Sequence, residues 1–517
     1  MNYYMERRQN ADRPEYPPPF DSIEVMLEQA FSCLQDNCYA EAAAIYEEVL
    51  KVETDNSQAG FNLGLIRRIN GELPEAIACF KAVLECEPDN VEVLARLGDA
   101  YRDQGSWDQA AVVYQRALKQ TPGDVDLNYS LGLVHYHRGE PAAAIGCYQK
   151  ALELDRGHAD AYYNLGVVHF EQGDYDRAAD SYERALSVRP DDIDTHYNLA
   201  VTRSGQGDFA GAADHYRTAL ALDPDDAELH NGLGLVYRQL NELEKAEACY
   251  RRALALRPDY GAACTNLAVV LQTGDRIEQA IACYARAVEL GHQAESADYM
   301  VAALSGADRD TAPRDYVRAL FDSYAENFDH RLTRVLGYNS PTLLREMAGG
   351  LLMPGRNFLK AADLGCGTGL VGSCFRDIAD HLIGVDLSAK MLDKAAAKDV
   401  YDELYCADIL EFLAAGHRGF DLVVAADVLI YIGALEPFFA AVKKCLAPSG
   451  HLMLTVEKHE GEGERRLRAS GRYAYASQYI ERLACSHGLM VKSCREVDLR
   501  KEKDLWLRGC LFVLQNT

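Results

Sequence analysis

The chain has 517 residues, and 48% of them are hydrophobic, which is enough for several globular domains. Its formal net charge is −26, a balance that repels polyanions and argues against a nucleic-acid partner. No apolar run approaches the length of a membrane span, so we expect no membrane partner. The fifteen cysteines lack Cys-x-x-Cys pairs, so we expect reduced thiols, a cytoplasmic location and no metal site.

The first 22 residues are polar and rich in proline. They contain Arg7, Arg8 and the run Pro17 to Pro19, but no apolar core of the kind found in signal peptides. We therefore predict a disordered N-terminal arm over residues 1–22.

Residues 23–294 repeat with a period of 34 residues, in eight consecutive units. Position 8 of each unit is Gly or Ala, position 20 is always Ala, and position 24 is always aromatic. The aromatic residues are Tyr46, Phe80, Tyr114, Tyr148, Tyr182, Tyr216, Tyr250 and Tyr284. The pattern resembles tetratricopeptide repeats. It predicts an α-solenoid of helix pairs, with the aromatic filling the gap between neighbouring units and a concave groove for a protein or peptide partner.

Four asparagines occur at position 6 of their repeats, on the helix that we expect to line the groove. They are Asn62, Asn164, Asn198 and Asn266. Similar asparagines form a peptide-binding ladder in repeats of the O-GlcNAc-transferase type, since an Asn amide can pair with both polar groups of a peptide backbone. Other residue types interrupt the ladder here. A partner-binding ladder and a solvated helix face therefore both remain open.

The 34-residue period ends after Leu290. Residues 295–313 are predicted to form a capping helix and a short, tight linker. From residue 314 to the C-terminus the pattern changes to alternating strands and helices, which predicts an α/β sheet of Rossmann type with helices on both faces. The seven strand candidates are Asn357–Asp363, Leu382–Asp386, Glu403–Cys406, Phe420–Ala425, Gly450–Glu457, Met490–Val497 and Cys510–Leu514.

A glycine-rich turn stands between the first strand of this sheet and the next helix. It reads Asp363-Leu364-Gly365-Cys366-Gly367-Thr368-Gly369, and Asp386 ends the following apolar strand. Such a turn lets a ligand approach the backbone, and the carboxylate can accept hydrogen bonds from two ribose hydroxyls. The spacing G-x-G-x-G fits a dinucleotide poorly and resembles the first motif of the class I methyltransferases that use S-adenosylmethionine.

This resemblance implies seven strands, the last of them antiparallel, and a set of cofactor-binding residues. The set comprises Asp363, Gly365, Cys366, Gly367, Gly369, Asp386, Leu387, Asp408, Ile409, Asp427 and Tyr324. Asp408 stands where the family's acidic or polar residue meets the adenine amine, and Ile409 could pack on the adenine face. The run Phe321 to Asp329 resembles a lid with the pattern F-D-x-x-A-x-x-Y-D, in which Phe328 replaces the Tyr.

The identity of a general base is open at this stage. Asp427, Tyr431, His459 and Tyr475 are weak candidates by position alone, and each is favoured as a structural or substrate-positioning residue. Tyr475 stands where the related bacterial family of methyltransferases with tetratricopeptide repeats often has His. Methyl transfer to an acceptor that is already ionised needs no base.

Three functions are consistent with these patterns. The favoured one is a methyltransferase whose repeats recruit a protein substrate or partner. The second is a scaffold protein with a non-catalytic methyltransferase-like domain. The third is a small-molecule O- or C-methyltransferase whose repeats serve only assembly. The sequence leaves the acceptor and the oligomeric state open.

Overall fold

A computed structural model describes residues 22–352, 357–502 and 505–517 of the chain. The predicted N-terminal arm therefore lies outside the described residues, except for Ser22, whose side chain caps the first helix. The described chain divides into two compact units at residue 242, which we call unit 1 (1–242) and unit 2 (243–517). Among the helices of the described ranges, none combines the length and apolarity that a bilayer crossing requires.

Unit 1 is a stack of helix pairs. Its helices are Ile23–Gln35 (α1), Tyr39–Val52 (α2), Ser57–Ile69 (α3), Leu73–Cys86 (α4), Val91–Asp103 (α5), Trp107–Gln120 (α6), Val125–His137 (α7), Pro141–Leu154 (α8), Ala159–Glu171 (α9), Tyr175–Val188 (α10), Ile193–Gly205 (α11), Phe209–Leu222 (α12) and Ala227–Gln239 (α13). Repeat position 34 supplies most of the N-caps. For example, the side chains of Asn56, Asp124 and Asp192 each accept a backbone N–H three residues later, which satisfies a donor that the helix leaves unpaired.

The small residues of the repeat allow close helix contacts. A Cβ built on Gly98 would lie 2.6 Å from the ring of Tyr114, so the second helix of a unit packs directly on the backbone of the first. The position-24 ring therefore packs mainly inside its own unit. It also extends to the next unit, since the Tyr46 hydroxyl accepts from Asn62 at 3.1 Å. The repeat pattern predicts that this aromatic fills the gap between neighbouring units. That contact is only part of its packing.

Unit 2 contains further helix pairs and an α/β domain. Its helices are Leu243–Leu256 (α14), Gly261–Thr273 (α15), Ile277–Glu289 (α16), Ala294–Ser305 (α17), Arg314–Tyr324 (α18), Phe328–His330 (α19), Ser340–Gly349 (α20), Leu370–Phe375 (α21), Ala389–Ala396 (α22), Ile409–Ala414 (α23), Glu436–Cys445 (α24) and Ser477–Ser486 (α25). Its strands are Ala361–Leu364 (β1), Leu382–Asp386 (β2), Glu403–Cys406 (β3), Phe420–Ala425 (β4), Leu446–Lys458 (β5), Arg465–Leu467 (β6), Tyr473–Tyr475 (β7), Leu489–Glu502 (β8) and Leu505–Asn516 (β9).

Seven of these strands form a sheet in the order β3-β2-β1-β4-β5-β9-β8. The pairs from β3 to β5 are parallel, and β9 is antiparallel to β5. The short β6–β7 hairpin adds to the end of β5, where β7 pairs with Glu457 and Lys458. The predicted fold class, an α-solenoid followed by a seven-stranded α/β sheet with an antiparallel last strand, is confirmed.

The central strands are buried on both faces. Successive residues of β4, such as Val423 and Val424, belong to hydrophobic clusters on opposite sides of the sheet. One of these clusters also includes Ala268, Tyr284 and Tyr299 of α15, α16 and α17. The last helix pair therefore shares a core with the α/β domain, and the predicted domain boundaries at residues 294 and 314 stay predictions.

The segment between α17 and α18 pairs with the α/β domain along its length. The N–H of Ala312 donates to the carbonyl of Tyr431 at 2.9 Å, and the N–H of Ala434 donates to that of Asp310 at 2.8 Å. Arg465 adds ion pairs with Asp308 and Asp310. These contacts hold the chain against the loop that follows β4, at the mouth of the cavity described next.

Candidate functional site

A cavity of about 290 Å³ opens at the carboxyl ends of β1, β2, β3 and β4. This edge is where open α/β sheets bind ligands, because the loops that leave the strands meet there. Its walls include the glycine turn, the ends of β2 and β3, the loop after β4 and α18. The cavity therefore brings together predicted cofactor residues from five separate stretches of sequence.

The glycine turn has a backbone that only glycine adopts easily. Gly365, Gly367 and Gly369 have φ values of +72°, +54° and +87°. A Cβ on Gly365 would lie 2.5 Å from Val428, so this position has no room for a side chain. Gly365, Cys366 and Gly367 line the cavity, while Gly369 does not and instead is the N-cap residue of α21.

Asp386 ends β2 and faces the turn. One carboxylate oxygen accepts the N–H of Gly367 at 2.8 Å, and the other accepts the N–H of Ser388 at 2.9 Å. Burial raises the pKa of this carboxyl, although the backbone donors oppose the shift. Each oxygen keeps a lone pair for a ligand hydroxyl. Leu387 lines the cavity beside it.

Asp408 and Ile409 line the cavity at the end of β3. One oxygen of Asp408 caps α23, accepting the N–H groups of Leu410 and Glu411. The other lies 3.3 Å from Nε of Arg314. Ile409 is 8% exposed, so an apolar side chain lines the cavity next to this carboxylate.

Residues 314–335, which we call the lid segment, cover the glycine turn. The ring of Phe328 lies nearest to the position that a Cβ on Gly367 would occupy, at 3.6 Å. Tyr324 lines the cavity and carries the guanidinium of Arg331 over its ring at 4.9 Å. The predicted lid residues therefore lie at the cavity, with Phe328 closer to the turn.

Polar contacts connect the lid segment to the glycine turn and to the loop after β2. Asp329 accepts a hydrogen bond from Thr368 of the glycine turn and pairs with Lys398 at 2.7 Å. Asp322 accepts from the hydroxyl of Ser388 at 2.5 Å. Because Thr368 and Ser388 are both buried, these contacts exclude water from the turn.

A buried ionic cluster forms the opposite wall, and sequence reasoning missed it. Glu457, at the end of β5, is fully buried and accepts from Arg468 at 3.0 Å, from Arg472 at 2.9 Å and from Arg500. Arg500 also donates to Asp427 at 2.6 Å. The sequence signal for this cluster was a glutamate at the end of the apolar strand β5, because a buried charge needs charged or hydrogen-bonding partners.

The predicted catalytic candidates separate into two groups. Asp427 and Tyr431 line the cavity. His459 and Tyr475 do not. His459 contacts the carbonyl of Glu462 at 3.0 Å, and the buried Tyr475 hydroxyl donates to the carbonyl of Leu429 at 2.8 Å. The geometry gives no support for a catalytic role of His459 or Tyr475.

Asp427 and Tyr431 are poorly suited to act as bases. Asp427 has a φ of +54° and accepts from Thr455 and Arg500, so both of its carboxylate oxygens are occupied. Burial raises the pKa of Tyr431 far above its usual value, so its hydroxyl stays protonated.

Asp363 lies behind the turn rather than in the cavity. It is 1% exposed, and its carboxylate accepts from the hydroxyl of Tyr401 at 2.6 Å. Burial raises the pKa of Asp363 to about 7. Burial also raises the pKa of the Cys366 thiol well above its usual value, so Cys366 lines the cavity as a neutral side chain.

The repeat asparagines are partly engaged inside the protein. In unit 1 the side-chain amide of Asn164 donates to the hydroxyl of Tyr129 at 3.1 Å, and that of Asn198 donates to Tyr163 at 2.9 Å. Asn62 donates to Tyr46, and Asn266 lies half-buried on α15 in unit 2. The described residues contain no cluster of three or more His, Cys, Asp or Glu side chains arranged to hold a metal ion.

Comparison with protein families agrees with both parts of the structure. Residues 362–454 match the model of a methyltransferase domain. Models of tetratricopeptide repeats match residues 34–91, 125–191, 159–225, 197–261 and 261–290, and a further repeat model matches 98–139. The chain therefore joins tetratricopeptide repeats to a methyltransferase domain.

Individual relatives match only one part each. A malonyl-[acyl-carrier protein] O-methyltransferase of Enterobacter lignolyticus is 29% identical over 28% of this chain and 60% of its own length. A ubiquinone biosynthesis O-methyltransferase of Brucella ovis is 28% identical over 24% of this chain and 49% of its own length. The crystal structure of MamA protein is 29% identical, with a TM-score of 0.32, over 34% of this chain and 96% of that chain.

Proposed function

We propose that this chain of tetratricopeptide repeats and a methyltransferase domain transfers methyl groups from S-adenosylmethionine. The observation that carries the proposal is the convergence of Gly367, Asp386 and the lid segment around one cavity. Asp386 accepts the N–H of Gly367, which links the two most specific cofactor motifs of the sequence in a single hydrogen bond.

The residues present fit the adenosine part of this cofactor. Asp386 keeps one lone pair on each oxygen for the two ribose hydroxyls. Ile409 offers an apolar surface for the base, beside the carboxylate of Asp408. Gly367 leaves its backbone open toward the cavity, where a side chain would be strained at a φ of +54°. Phe328 and the buried Thr368 close this end against water.

The cofactor supplies a methyl group on a positively charged sulfur. The protein's part is to hold an acceptor in line with that methyl group and to exclude water, which can account for most of the rate enhancement of such a displacement. The lid segment excludes water, and the wall formed by Asp427, Tyr431 and Arg472 is available to position the acceptor.

Calorimetry with S-adenosylhomocysteine on the full chain tests the cofactor site. Asp386→Asn should weaken binding by about 1.5–3 kcal/mol, because hydrogen bonds to a charged group are lost. Asp402→Asn is the matched control. Asp402 also accepts a backbone N–H, from Leu382 at 2.6 Å, but at the opposite end of β2. No binding by the folded wild type would refute the proposal, and equal loss in both variants would remove Asp386 from the site.

We also propose that the repeats bind a protein or peptide partner and that the enzyme works in the cytoplasm. The eight-unit array supports the first part, since stacked repeats form an extended concave surface. All fifteen cysteines lie in the described residues and are free thiols, which is consistent with a reducing compartment.

A further inference from the structure

We propose that the methyl acceptor is a carboxylate on an apolar body, held by Arg472, and that the product is a methyl ester. This inference rests on the proposed methyltransferase function and adds the class of its substrate. Arg472 comes from the short strand hairpin β6–β7, on the cavity wall opposite the cofactor residues.

Arginines are frequent in the cavity wall although the protein is strongly acidic. Five arginines and three aspartates line it, whereas the whole chain has a net charge of −26. The arginines are Arg314, Arg318, Arg331, Arg472 and Arg500. Four of these arginines pair with carboxylates of the protein, so a second, anionic ligand depends on the guanidinium donors that these pairs leave over.

Two carboxylates hold the guanidinium group of Arg472, and one of its terminal nitrogens stays available for a ligand. Its Nε donates to Glu457 at 2.9 Å, and one terminal nitrogen donates to Glu502 at 2.9 Å. The other terminal nitrogen, Nη1, has no hydrogen-bond acceptor among the described residues. A guanidinium that is fixed by two carboxylates and still has free donors can recognise a ligand carboxylate without losing much side-chain entropy.

The rest of this wall suits an apolar body. Phe321 of the lid segment and Tyr431 of the loop after β4 pack edge to face, with ring centroids 5.5 Å apart. Ile430 and Ile432 line the same region. Because burial raises the pKa of Tyr431, its hydroxyl stays protonated and can donate a hydrogen bond to an anion.

A carboxylate acceptor also suits a cavity in which the three lining aspartates already accept hydrogen bonds from the protein. No histidine or lysine lines the cavity within the described residues. A carboxylate oxygen uses its own lone pair to form the bond to the methyl carbon. The carbon–sulfur bond breaks, its electron pair stays on sulfur as a neutral thioether, and no proton moves. Methylation of an alcohol or a protonated amine would require a base.

Binding of simple acids to the full chain tests the inference. Octanoate, phenylacetate and adipate would be titrated into protein saturated with S-adenosylhomocysteine, each beside its amide. At least one acid should bind, and its amide should bind at least about tenfold more weakly, since a charge-assisted hydrogen bond is lost. Absence of binding by every acid, or equal binding of acid and amide, would overturn the proposal. Failure of S-adenosylhomocysteine itself to bind would instead refute the proposed function.

Two arginines of the same cluster give a matched pair of variants. Arg472→Gln removes the free donors and should weaken acid binding at least about tenfold. Arg468→Gln removes a similar contact to Glu457, but Arg468 does not line the cavity, so acid binding should persist. Equal losses in the two variants would reduce Arg472 to a structural role and overturn the inference.

The chemical form of the product gives a second readout. The bound acid would be incubated with S-adenosylmethionine carrying a labelled methyl group. An ester releases its label as methanol in alkali, whereas methyl ethers and methylamines do not. Label that resists alkali, or no incorporation into a bound acid, would contradict ester formation.

Discussion

Glu457 shows how one buried charge organises a wall of the site. It accepts hydrogen bonds from three arginines at the end of β5, and it has no exposed surface. Burying ions costs free energy that only well-paired neighbours offset, and removal of one partner leaves the others uncompensated. The arrangement therefore fixes Arg472 and Arg500 at the cavity. It also makes the stability of the protein sensitive to mutation of any member of the cluster.

Glu457→Gln should lower the free energy of unfolding by about 3–5 kcal/mol, because three guanidinium groups lose the fully buried carboxylate that they share. Urea denaturation followed by circular dichroism measures the loss. Glu496→Gln serves as control, since Glu496 pairs with Lys458 on the surface. A change below about 1 kcal/mol in Glu457→Gln would show that water or a ligand already screens the cluster.

Asp363 should make stability depend on pH. Its pKa is about 7 in the folded protein and about 4 in the unfolded chain. The folded state thus binds the proton more tightly, so the stabilising contribution is full below pH 4 and is lost as the pH rises to 7. Over that window the free energy of unfolding should fall by on the order of 1.4 kcal/mol per pH unit.

Asp363→Asn should remove this slope, since an amide stays neutral and can still accept from Tyr401. Thermal unfolding of the two proteins from pH 4 to pH 8 gives the comparison. Parallel curves would mean that Asp363 titrates normally in the folded protein.

The predicted cofactor residues could be identified in the sequence because they follow strand ends in a fixed order. Gly365, Gly367 and Asp386 could be predicted from local spacing, and Asp408 from the family resemblance. Arg472 and Arg500 could not, because they are 28 residues apart and meet only through Glu457. Their sequence neighbourhoods are ordinary strand residues, and only the pairing of β7 and β9 with β5 brings them together.

The lid segment is the element whose position decides access to the cavity. Asp322 and Asp329 connect it to Ser388 and Thr368, one residue from each cofactor motif. Residues of α18 are exposed or half-buried, so packing alone holds it weakly. We infer that these two aspartates govern how often the lid opens.

Asp329→Ala should raise the dissociation constant of S-adenosylhomocysteine about five- to twentyfold, mainly through faster dissociation, because two charge-assisted contacts of the lid are lost. Stopped-flow displacement measures the dissociation rate. Asp315→Ala is the control, since Asp315 is on the same segment but pairs with the exposed Arg318 of its own helix. Unchanged dissociation in Asp329→Ala would indicate that the segment does not act as a lid.

The bounds of the strands could be predicted where the hydrophobic pattern of the sequence defines them. The strands β2, β3 and β4 have the predicted bounds, because apolar runs with polar ends define them. β1 begins four residues later than predicted, at Ala361. The β6–β7 hairpin escaped prediction because each strand has three residues and depends on the end of β5 for pairing.

On the scale of unit 2, the last repeats contact the methyltransferase domain. The hydroxyl of Tyr299 on α17 donates to the carbonyl of Gly471 at 3.0 Å, and Gln272 on α15 donates to that of Ala469 at 2.8 Å. Gly471 directly precedes Arg472 in the chain, and Ala469 lies three residues before it. The final helices therefore help to place the hairpin that carries Arg472.

A fragment of residues 314–517 should be less stable than one of residues 243–517. The shorter fragment exposes the surface that Tyr299 and Met300 cover, at roughly 2–3 kcal/mol for each large side chain. Melting temperatures of the two purified fragments decide the point. Equal values would show that the repeats are independent of the methyltransferase domain.

The asparagine ladder makes a prediction for the whole chain. Replacing Asn62, Asn164, Asn198 and Asn266 by Ala should weaken the binding of a partner that lies along the groove. The expected loss of binding free energy is roughly 0.5–1.5 kcal/mol for each backbone hydrogen bond. Affinity purification with wild type and variant compares the partners, and S-adenosylhomocysteine binding serves as control. Identical partner lists would indicate that no partner binds through these amides.

Hydrogen exchange of the full chain, with and without S-adenosylhomocysteine, tests the proposed site most directly. The bound ligand should slow amide exchange in three places, namely the lid segment, the glycine turn with α21, and the loop from Asp386 into α22. Protection confined to the repeats, or no protection at saturating ligand, would contradict the proposal that this cavity is the cofactor site of a methyltransferase.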